Sequence, residues 1–312
     1  MKEKKVKTPV ISGKSIVQTF GETKVLNEID LEIYDGDFTV IMGTSGSGKS
    51  TLLYCLSGME QAAGGTIYCG DQAVTGASEK ELTKLRADKF GFVFQKTHLV
   101  SNLTLYENIV MAGLIGSGLG EKDVRERARQ LAAQMNLQDA ADRLPSQVSG
   151  GEAQRAAVAR AVMGNPAILF ADEPTGALNK ANTKEVLNLF TKLHEEGQTI
   201  LLVTHDKEAA LRGNRILYIE DGRVISELTL SEYGRHPSDT MHHKHGLRGR
   251  LDESKNCGRS DNSKNCERSD SNKNYERPGN SKDFERPDNS RNLHTNEDRE
   301  KKLAAWLEGL GW

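Results

Sequence analysis

Long apolar runs are missing from the sequence. The longest purely aliphatic run, Ile200 to Val203, falls far short of the roughly 20 apolar residues that a membrane-spanning helix needs. The basic N-terminus, Met1 to Lys7, is not followed by the apolar segment of a secretory signal. We therefore expect a chain that stays in the cytoplasm and does not itself cross a membrane.

Cysteine and net charge are also low. Four cysteines in 312 residues are too few and too irregularly spaced for a disulfide framework or a zinc ribbon, so we expect reduced thiols. A formal net charge of -2 gives no overall basic field. This argues against a nucleic-acid binder, because such binding is driven by counterion release from phosphates. Any polyanion that binds should be small and held locally.

Large apolar residues become scarce after Glu232. One weakly apolar residue in each loose repeat between Ser254 and Asn292 cannot offset the entropy of ordering the segment. We expect a low-complexity, disordered tail over residues 231–294. Residues 295–312 predict a short amphipathic helix that could dock, and a frayed terminus fits equally well. The apolar face of that helix would contain Leu303, Trp306, Leu307 and Leu310.

The first 230 residues form the part of the chain that can build a core. Three short, continuous apolar runs are typical of parallel strands buried on both faces. They are Phe38–Met42, Ala167–Ala171 and Thr199–Val203. Other strand-like runs predict a flanking antiparallel sheet, with which we group a hairpin turning at Asp221-Gly222. Residues 96–163 read as an inserted helical subdomain, so an α/β domain over residues 1–230 is predicted.

A glycine-rich loop follows the first buried strand and precedes a helical run. It matches G-x-x-x-x-G-K-[ST], in which backbone N–H groups and a helix N-terminus bind phosphate oxygens. Lys49 would reach the β- and γ-phosphates of a nucleoside triphosphate, and Ser50 would bind Mg²⁺. A flexible glycine–serine linker is the alternative, which the flanking strand and helix disfavour. The predicted phosphate-binding residues are Gly43, Thr44, Ser45, Gly46, Ser47, Gly48, Lys49, Ser50 and Thr51.

Two carboxylates end the second buried strand. Asp172 would hold Mg²⁺, and Glu173 would polarise the attacking water as general base. Paired acids at a strand end are common on protein surfaces. The functional interpretation of this pair therefore depends on the phosphate-binding motif that precedes it in the sequence.

A third motif, over the residues Val148 to Arg155, reads V-S-G-G-E-A-Q-R. It resembles the signature L-S-G-G-Q-x-Q-R of ABC ATPases. A Ser-Gly-Gly turn that opens a helix is a second anion site. Taken alone it is as readily an ordinary helix cap. The predicted nucleotide contacts are Ser149, Gly150, Gly151 and Glu152.

The resemblance implies roles for further residues. Gln95 matches the glutamine that senses Mg²⁺ and water, and His205 matches the switch histidine that contacts the γ-phosphate. Phe20 stands where the family stacks an aromatic ring on adenine. The resemblance thus implies a metal site of Ser50, Gln95 and Asp172. Asn179 departs from the aspartate of many relatives, which predicts softer coupling between the two sites of a dimer.

The same resemblance implies a partner and a location. ATP would be sandwiched in a head-to-tail dimer, homomeric or heteromeric, between Lys49 of one chain and Ser149 of the other. The dimer would power integral membrane permease subunits from the inner face of the cell membrane. The runs around Gln95, Asn108 and Asp172 look most like the lipoprotein-release, macrolide-export and antimicrobial-peptide-defence branch, whose substrates are amphipathic. A non-transport ABC ATPase and a regulatory scaffold module remain as alternatives.

Overall fold

The structure is a computed structural model that describes residues 9–116, 118–230 and 290–312, with side chains in the last range from residue 297. Of the predicted tail over residues 231–294, only residues 290–294 fall within these ranges, at the start of a helix. The other residues of that prediction lie outside the described part of the chain. Among the described residues, no helix combines the length and apolar character needed to traverse a bilayer.

The main sheet has six strands in the order β10-β9-β3-β8-β7-β6. Strand β3 pairs in parallel with β8 and β9, and β7 pairs in parallel with β6 and β8. Every residue of β3 and β8 is buried, which explains their continuous apolar sequence. The α/β prediction is confirmed. The strands are β3 (Phe38–Gly43), β6 (Phe90–Phe94), β7 (Ile168–Asp172), β8 (Thr199–Val203), β9 (Arg215–Glu220) and β10 (Arg223–Thr229).

The hairpin of β9 and β10 belongs to this main sheet and not to the flanking sheet with which the sequence groups it. Its own pairing is antiparallel, as its Asp221-Gly222 turn predicts. However, β9 also pairs with β3, since Val40 aligns with Ile216 and Ile41 with Leu217. The apolar residues of β9 therefore complete the parallel core.

The flanking sheet is antiparallel, as predicted, with the order β2-β1-β4-β5. Its buried residues alternate with exposed ones along β2, the pattern of a sheet with one face on a core. That face packs with residues of the first helix and the main sheet in one apolar cluster. The strands are β1 (Pro9–Phe20), β2 (Thr23–Tyr34), β4 (Gly64–Cys69) and β5 (Gln72–Ala73).

Helices cover the main sheet and fill the predicted insertion. Helices α3, α4 and α5 lie within residues 96–163 and share an apolar cluster with the main sheet. A short 3-10 turn, Pro145–Gln147, precedes α5. The helices of this part of the chain are α1 (Lys49–Leu56), α2 (Glu79–Lys89), α3 (Leu105–Gly116), α4 (Glu121–Gln134), α5 (Gly150–Val162), α6 (Lys180–Glu195) and α7 (Lys207–Ala210).

A last helix, α8, runs from Ser290 to Gly309. Residues 299–312 belong to the same compact unit as the two sheets. Leu303 and Leu307 are 2% and 1% exposed and join the cluster of the main sheet. Nε1 of Trp306 donates to Oγ of Ser226 on β10 at 2.8 Å. The end of the chain is thus packed on the hairpin of β9 and β10.

Candidate active site

The phosphate-binding motif forms the turn between β3 and α1, as predicted. Gly48 is the N-cap of α1 and has φ 98°, a backbone conformation that residues with a Cβ rarely adopt. A Cβ on Gly43 would lie 2.1 Å from the backbone oxygen of Ile219. Both glycines are therefore required for the loop to pass this close to its neighbours. Thr44, Ser45 and Gly46 are exposed at its tip.

Lys49 lies under this loop with its ammonium close to two carboxylates. The side chain donates to the backbone oxygen of Thr44 at 2.7 Å, which uses one of its three hydrogens. Burial lowers the pKa of Lys49, while the charges of Glu173 and Asp172 oppose that shift. The hydroxyl of Ser47 is buried without a hydrogen-bond partner in the described residues. This set of donors fits a phosphate group.

Asp172 ends β7 beside the start of α1. Its Oδ1 accepts from Oγ of Ser50 at 2.8 Å, and its Oδ2 accepts from the hydroxyl of Tyr54 at 2.7 Å. A carboxylate next to a serine hydroxyl supplies the oxygen ligands that Mg²⁺ prefers, so these residues fit the ion. Tyr54 is not predicted as a site residue. Its spacing of one helical turn from Ser50 is the signal that would have found it.

Glu173 and His205 meet at the carboxyl ends of β7 and β8. Nδ1 of His205 lies 2.9 Å from Oε1 of Glu173. The backbone N–H of Glu173 donates to the oxygen of Val203 at 2.9 Å. Glu173 also has φ 46°, in the left-handed region that costs a non-glycine residue energy and is concentrated at functional sites. The fold holds this carboxylate in place at the expense of local strain.

Gln95 follows β6 and lies beside the acidic pair. In the sheet register, Phe94 aligns with Asp172. A Cβ added to Gly176 would lie 2.9 Å from Nε2 of Gln95, so the missing side chain at Gly176 leaves room for the glutamine. Gln95, Asp172 and Glu173 therefore occupy one edge of the main sheet.

The signature-like motif forms the start of α5. Ser149 is the N-cap: its Oγ accepts from the N–H of Glu152 at 3.3 Å, and its own N–H donates to Oε2 of Glu152 at 2.8 Å. The hydrogen bonds from the hydroxyl and backbone of Ser149 lower the pKa of Glu152. Ser149 and Gly150 are exposed, whereas Gly151 packs against Asn182, which a Cβ would approach to 2.5 Å. The helix-cap alternative and an anion site are compatible, because the cap leaves the helix N-terminus facing outward.

Helix α5 is tied to the segment that follows Gln95. Nε2 of Gln154 donates to the oxygen of Phe94 at 2.9 Å. Arg160 donates to the oxygens of His98 and Thr97 at 2.6 and 2.8 Å. The sequence predicts no role for either residue, although Gln154 lies within the signature-like motif. The contacts join the helical insertion to the end of β6.

Phe20 is the last residue of β1 and is 51% exposed. It pairs with Thr23 across the turn into β2. Further along β2, the backbone oxygen of Val25 lies against Gly48. A Cβ added to Gly48 would lie 2.9 Å from that oxygen. The ring thus stands at the end of a hairpin that contacts the phosphate-binding loop.

A glycine loop that opens a helix, beside an Asp-Glu pair at the end of a parallel strand, defines a P-loop nucleoside triphosphatase. The family model described as "ABC transporter" matches residues 26–176. The lipoprotein-releasing system ATP-binding protein LolD of Aquifex aeolicus is 40% identical over 220 residues, which cover 70% of this chain and 98% of that protein. The chain belongs to the ABC transporter family, as an ATP-hydrolysing subunit that powers a transporter.

Further relatives agree with this assignment. The macrolide export ATP-binding/permease protein MacB of Aggregatibacter actinomycetemcomitans is 41% identical over 222 residues, but the chain spans only 34% of its length. A dimeric ATP-binding cassette solved in a post-hydrolysis state with ADP and Pi is 36% identical, with a TM-score of 0.66, over 71% of this chain and 99% of that one. A dimeric bacterial ABC transporter cassette is 38% identical at the same TM-score and coverage.

Proposed function

We propose that two copies of this ATPase domain, or one copy and a related subunit, close head to tail over ATP and Mg²⁺ to drive a permease for an amphipathic substrate. One observation carries the proposal: the ends of β3, β7 and β8 bring together a lysine, a serine, two carboxylates and a histidine. They are Lys49, Ser50, Asp172, Glu173 and His205. Such an arrangement has a donor for phosphate, ligands for a metal and a base for water.

The phosphates would be held by the loop between Gly43 and Thr51. Its backbone N–H groups and the N-terminus of α1 stabilise negative charge, and Lys49 would move from the oxygen of Thr44 to the β- and γ-phosphates. Ser50 and Asp172, with Gln95, would hold Mg²⁺, which when bound neutralises charge on the phosphates. The exposed ring of Phe20 would stack on adenine.

Glu173 would act as the general base. Its carboxylate can accept a proton from water as that water attacks the γ-phosphate. His205 lies within hydrogen-bond distance of the same carboxylate and would orient it and contact the γ-phosphate. Gln95 would align the water, because its amide shares the sheet edge with Glu173.

The second half of each site would come from another chain. Ser149 and Gly150 are exposed at the N-terminus of α5, where free N–H groups can bind phosphate. Two of the solved relatives are dimers, which supports this assembly. Hydrolysis would remove the γ-phosphate that bridges the chains, and the dimer would open.

The permease would contact the segment after Gln95 and hold the subunit at the inner face of the cell membrane. Arg160 and Gln154 connect this segment to α5, so a movement there reaches Ser149 through one helix. Both named relatives belong to export or release systems, for lipoproteins and for macrolides. This supports an amphipathic substrate such as a peptide, lipid or drug.

The test compares ATP hydrolysis by the wild type, Glu173→Gln and Glu220→Gln. Removing the base should lower the rate by about 100-fold or more, and the Glu173→Gln protein should form an ATP-dependent dimer on size-exclusion chromatography. Glu220 is an exposed residue at the end of β9 and provides the matched control. Glu220→Gln should hydrolyse ATP at the wild-type rate and should elute as the wild type does. ATP hydrolysis at the wild-type rate by the Glu173→Gln protein would refute the assignment of Glu173 as the general base.

Purification in mild detergent should also recover an integral membrane protein, and its absence would count against the proposed contact with a permease.

A further inference from the structure

Asp172 is held at both carboxylate oxygens by one face of α1. Ser50 donates to Oδ1 at 2.8 Å, and Tyr54 donates to Oδ2 at 2.7 Å. Residues four apart on a helix project from the same side, one turn above the other. The Ser50 hydroxyl therefore contacts one oxygen of the carboxylate, and the Tyr54 hydroxyl contacts the other oxygen from one helical turn further along α1.

The two hydrogen bonds fix the terminal side-chain torsion of Asp172. The terminal torsion of an aspartate has broad, two-fold preferences, so a single hydrogen bond leaves its carboxylate free to rotate. A second donor on the opposite oxygen defines the plane of the group. Hydrogen bonds to an ionised acceptor are also stronger than those between neutral groups.

The Tyr54 side chain is itself well anchored. Its ring packs against the apolar cluster between the two sheets. Its backbone oxygen accepts from the N–H groups of Met59 and Glu60 at 2.9 and 3.1 Å and from Oγ of Ser57 at 3.2 Å. The backbone and the ring of Tyr54 are thus both held by neighbouring contacts, and its hydroxyl lies at the end of β7.

We propose that Tyr54 is a positioning residue that orients the carboxylate of Asp172 for Mg²⁺. The inference rests on the proposed magnesium site. Tyr54 need not touch the ion or the nucleotide. It acts by keeping the lone pairs of Asp172 directed at the place where Ser50 offers its own oxygen. Without the tyrosine hydroxyl, the carboxylate would rotate and the ion would lose a preorganised ligand.

The experiment measures how much Mg²⁺ tightens nucleotide binding. Fluorescence titrations with mant-labelled AMP-PNP, first with EDTA and then with saturating Mg²⁺, give two dissociation constants whose ratio is the gain from the ion. In Tyr54→Phe this gain should fall by about 10-fold, as expected for a lost hydrogen bond to a charged group. The dissociation constant in EDTA should stay at the wild-type value.

Tyr106→Phe is the matched control, since it removes a tyrosine hydroxyl that donates to the oxygen of Arg125 at 3.1 Å, away from the site. It should leave the gain unchanged. A Tyr54→Phe protein with the wild-type gain would overturn the inference, because a loss of affinity shared equally by the EDTA and Mg²⁺ titrations indicates a purely structural role. If the wild type itself gains nothing from Mg²⁺, the magnesium site fails and not only the role of Tyr54.

Discussion

Asn179 is the N-cap of α6, a structural role that does not depend on a negative charge. Its side-chain oxygen accepts from the N–H of Asn182 at 2.9 Å and caps α6. Aspartate caps helices about as well as asparagine, so Asn179→Asp should leave the melting temperature unchanged. The added charge should restore coupling between the sites, which we expect to appear as steeper cooperativity in ATP concentration. Asn179→Ala, the control for the cap, should cost about 1 kcal/mol of stability. Equal cooperativity in the wild type and Asn179→Asp would show that the charge is silent.

Two cysteines are predicted to be unreactive in the native protein. Burial raises the pKa of Cys55 to about 12 and that of Cys69 to about 11, and the thiolate is the reactive form. Because the folded-state pKa exceeds the unfolded one, their contribution to stability is complete below the unfolded pKa and is lost as pH rises toward these values.

Labelling with Ellman's reagent at pH 8 tests this in a protein where Cys257 and Cys266 are replaced by serine. The native protein should react negligibly, and both remaining thiols should react after denaturation in urea. Rapid native labelling would show that the core around α1 opens readily.

At the scale of elements, the end of the chain is expected to stabilise the hairpin of β9 and β10. Tyr218 of β9 makes edge contacts with the rings of Trp306 and Trp312 at 6.1 and 6.3 Å. Trp312 also lies 5.5 Å from the ammonium of Lys207 on α7. Residues 299–312 therefore bridge the hairpin and the helix that follows His205.

Leu307→Ala should destabilise the protein by about 2–5 kcal/mol, because it removes a large side chain from a packed core. Urea denaturation followed by circular dichroism measures the change. Glu308→Ala alters the neighbouring exposed residue and should stay near the wild type. Equal stability of the two variants would indicate that the segment contributes little to folding in solution.

The elements that the sequence predicts well are those whose evidence is local. Strands β3 and β8 read as apolar runs because both faces are buried, and the loop at Gly43 to Ser50 has a motif with a fixed spacing. The placement of β9 beside β3 was not predictable in this way, because a turn at Asp221-Gly222 fixes only the neighbour across the hairpin. The contact of Tyr54 with Asp172 joins residues 118 positions apart. The one-turn spacing of Tyr54 from Ser50 places both hydroxyls on one face of α1, but it does not show that Asp172 lies against that face.

At the scale of the whole molecule, the question is whether one chain supplies both halves of each ATP site. Lys49→Ala removes the lysine of the phosphate-binding loop, and Ser149→Arg blocks the N-terminus of α5. In a head-to-tail dimer each substitution alone disables both sites, so each variant should be inactive. A mixed dimer retains one complete site, made of the intact loop of the Ser149→Arg chain and the intact α5 of the Lys49→Ala chain.

Mixing the two inactive proteins should therefore restore ATP hydrolysis. Random pairing makes half of the dimers mixed, with one of two sites intact, so the rate should reach about a quarter of the wild-type value if the sites act independently. Mixing Lys49→Ala with the double variant Lys49→Ala, Ser149→Arg is the control and should restore nothing. If each chain instead used its own loop with its own α5, no mixture would recover activity. Recovery well below a quarter, but above the control, would mean that one intact site depends on the other, which is the coupling that Asn179 is expected to soften.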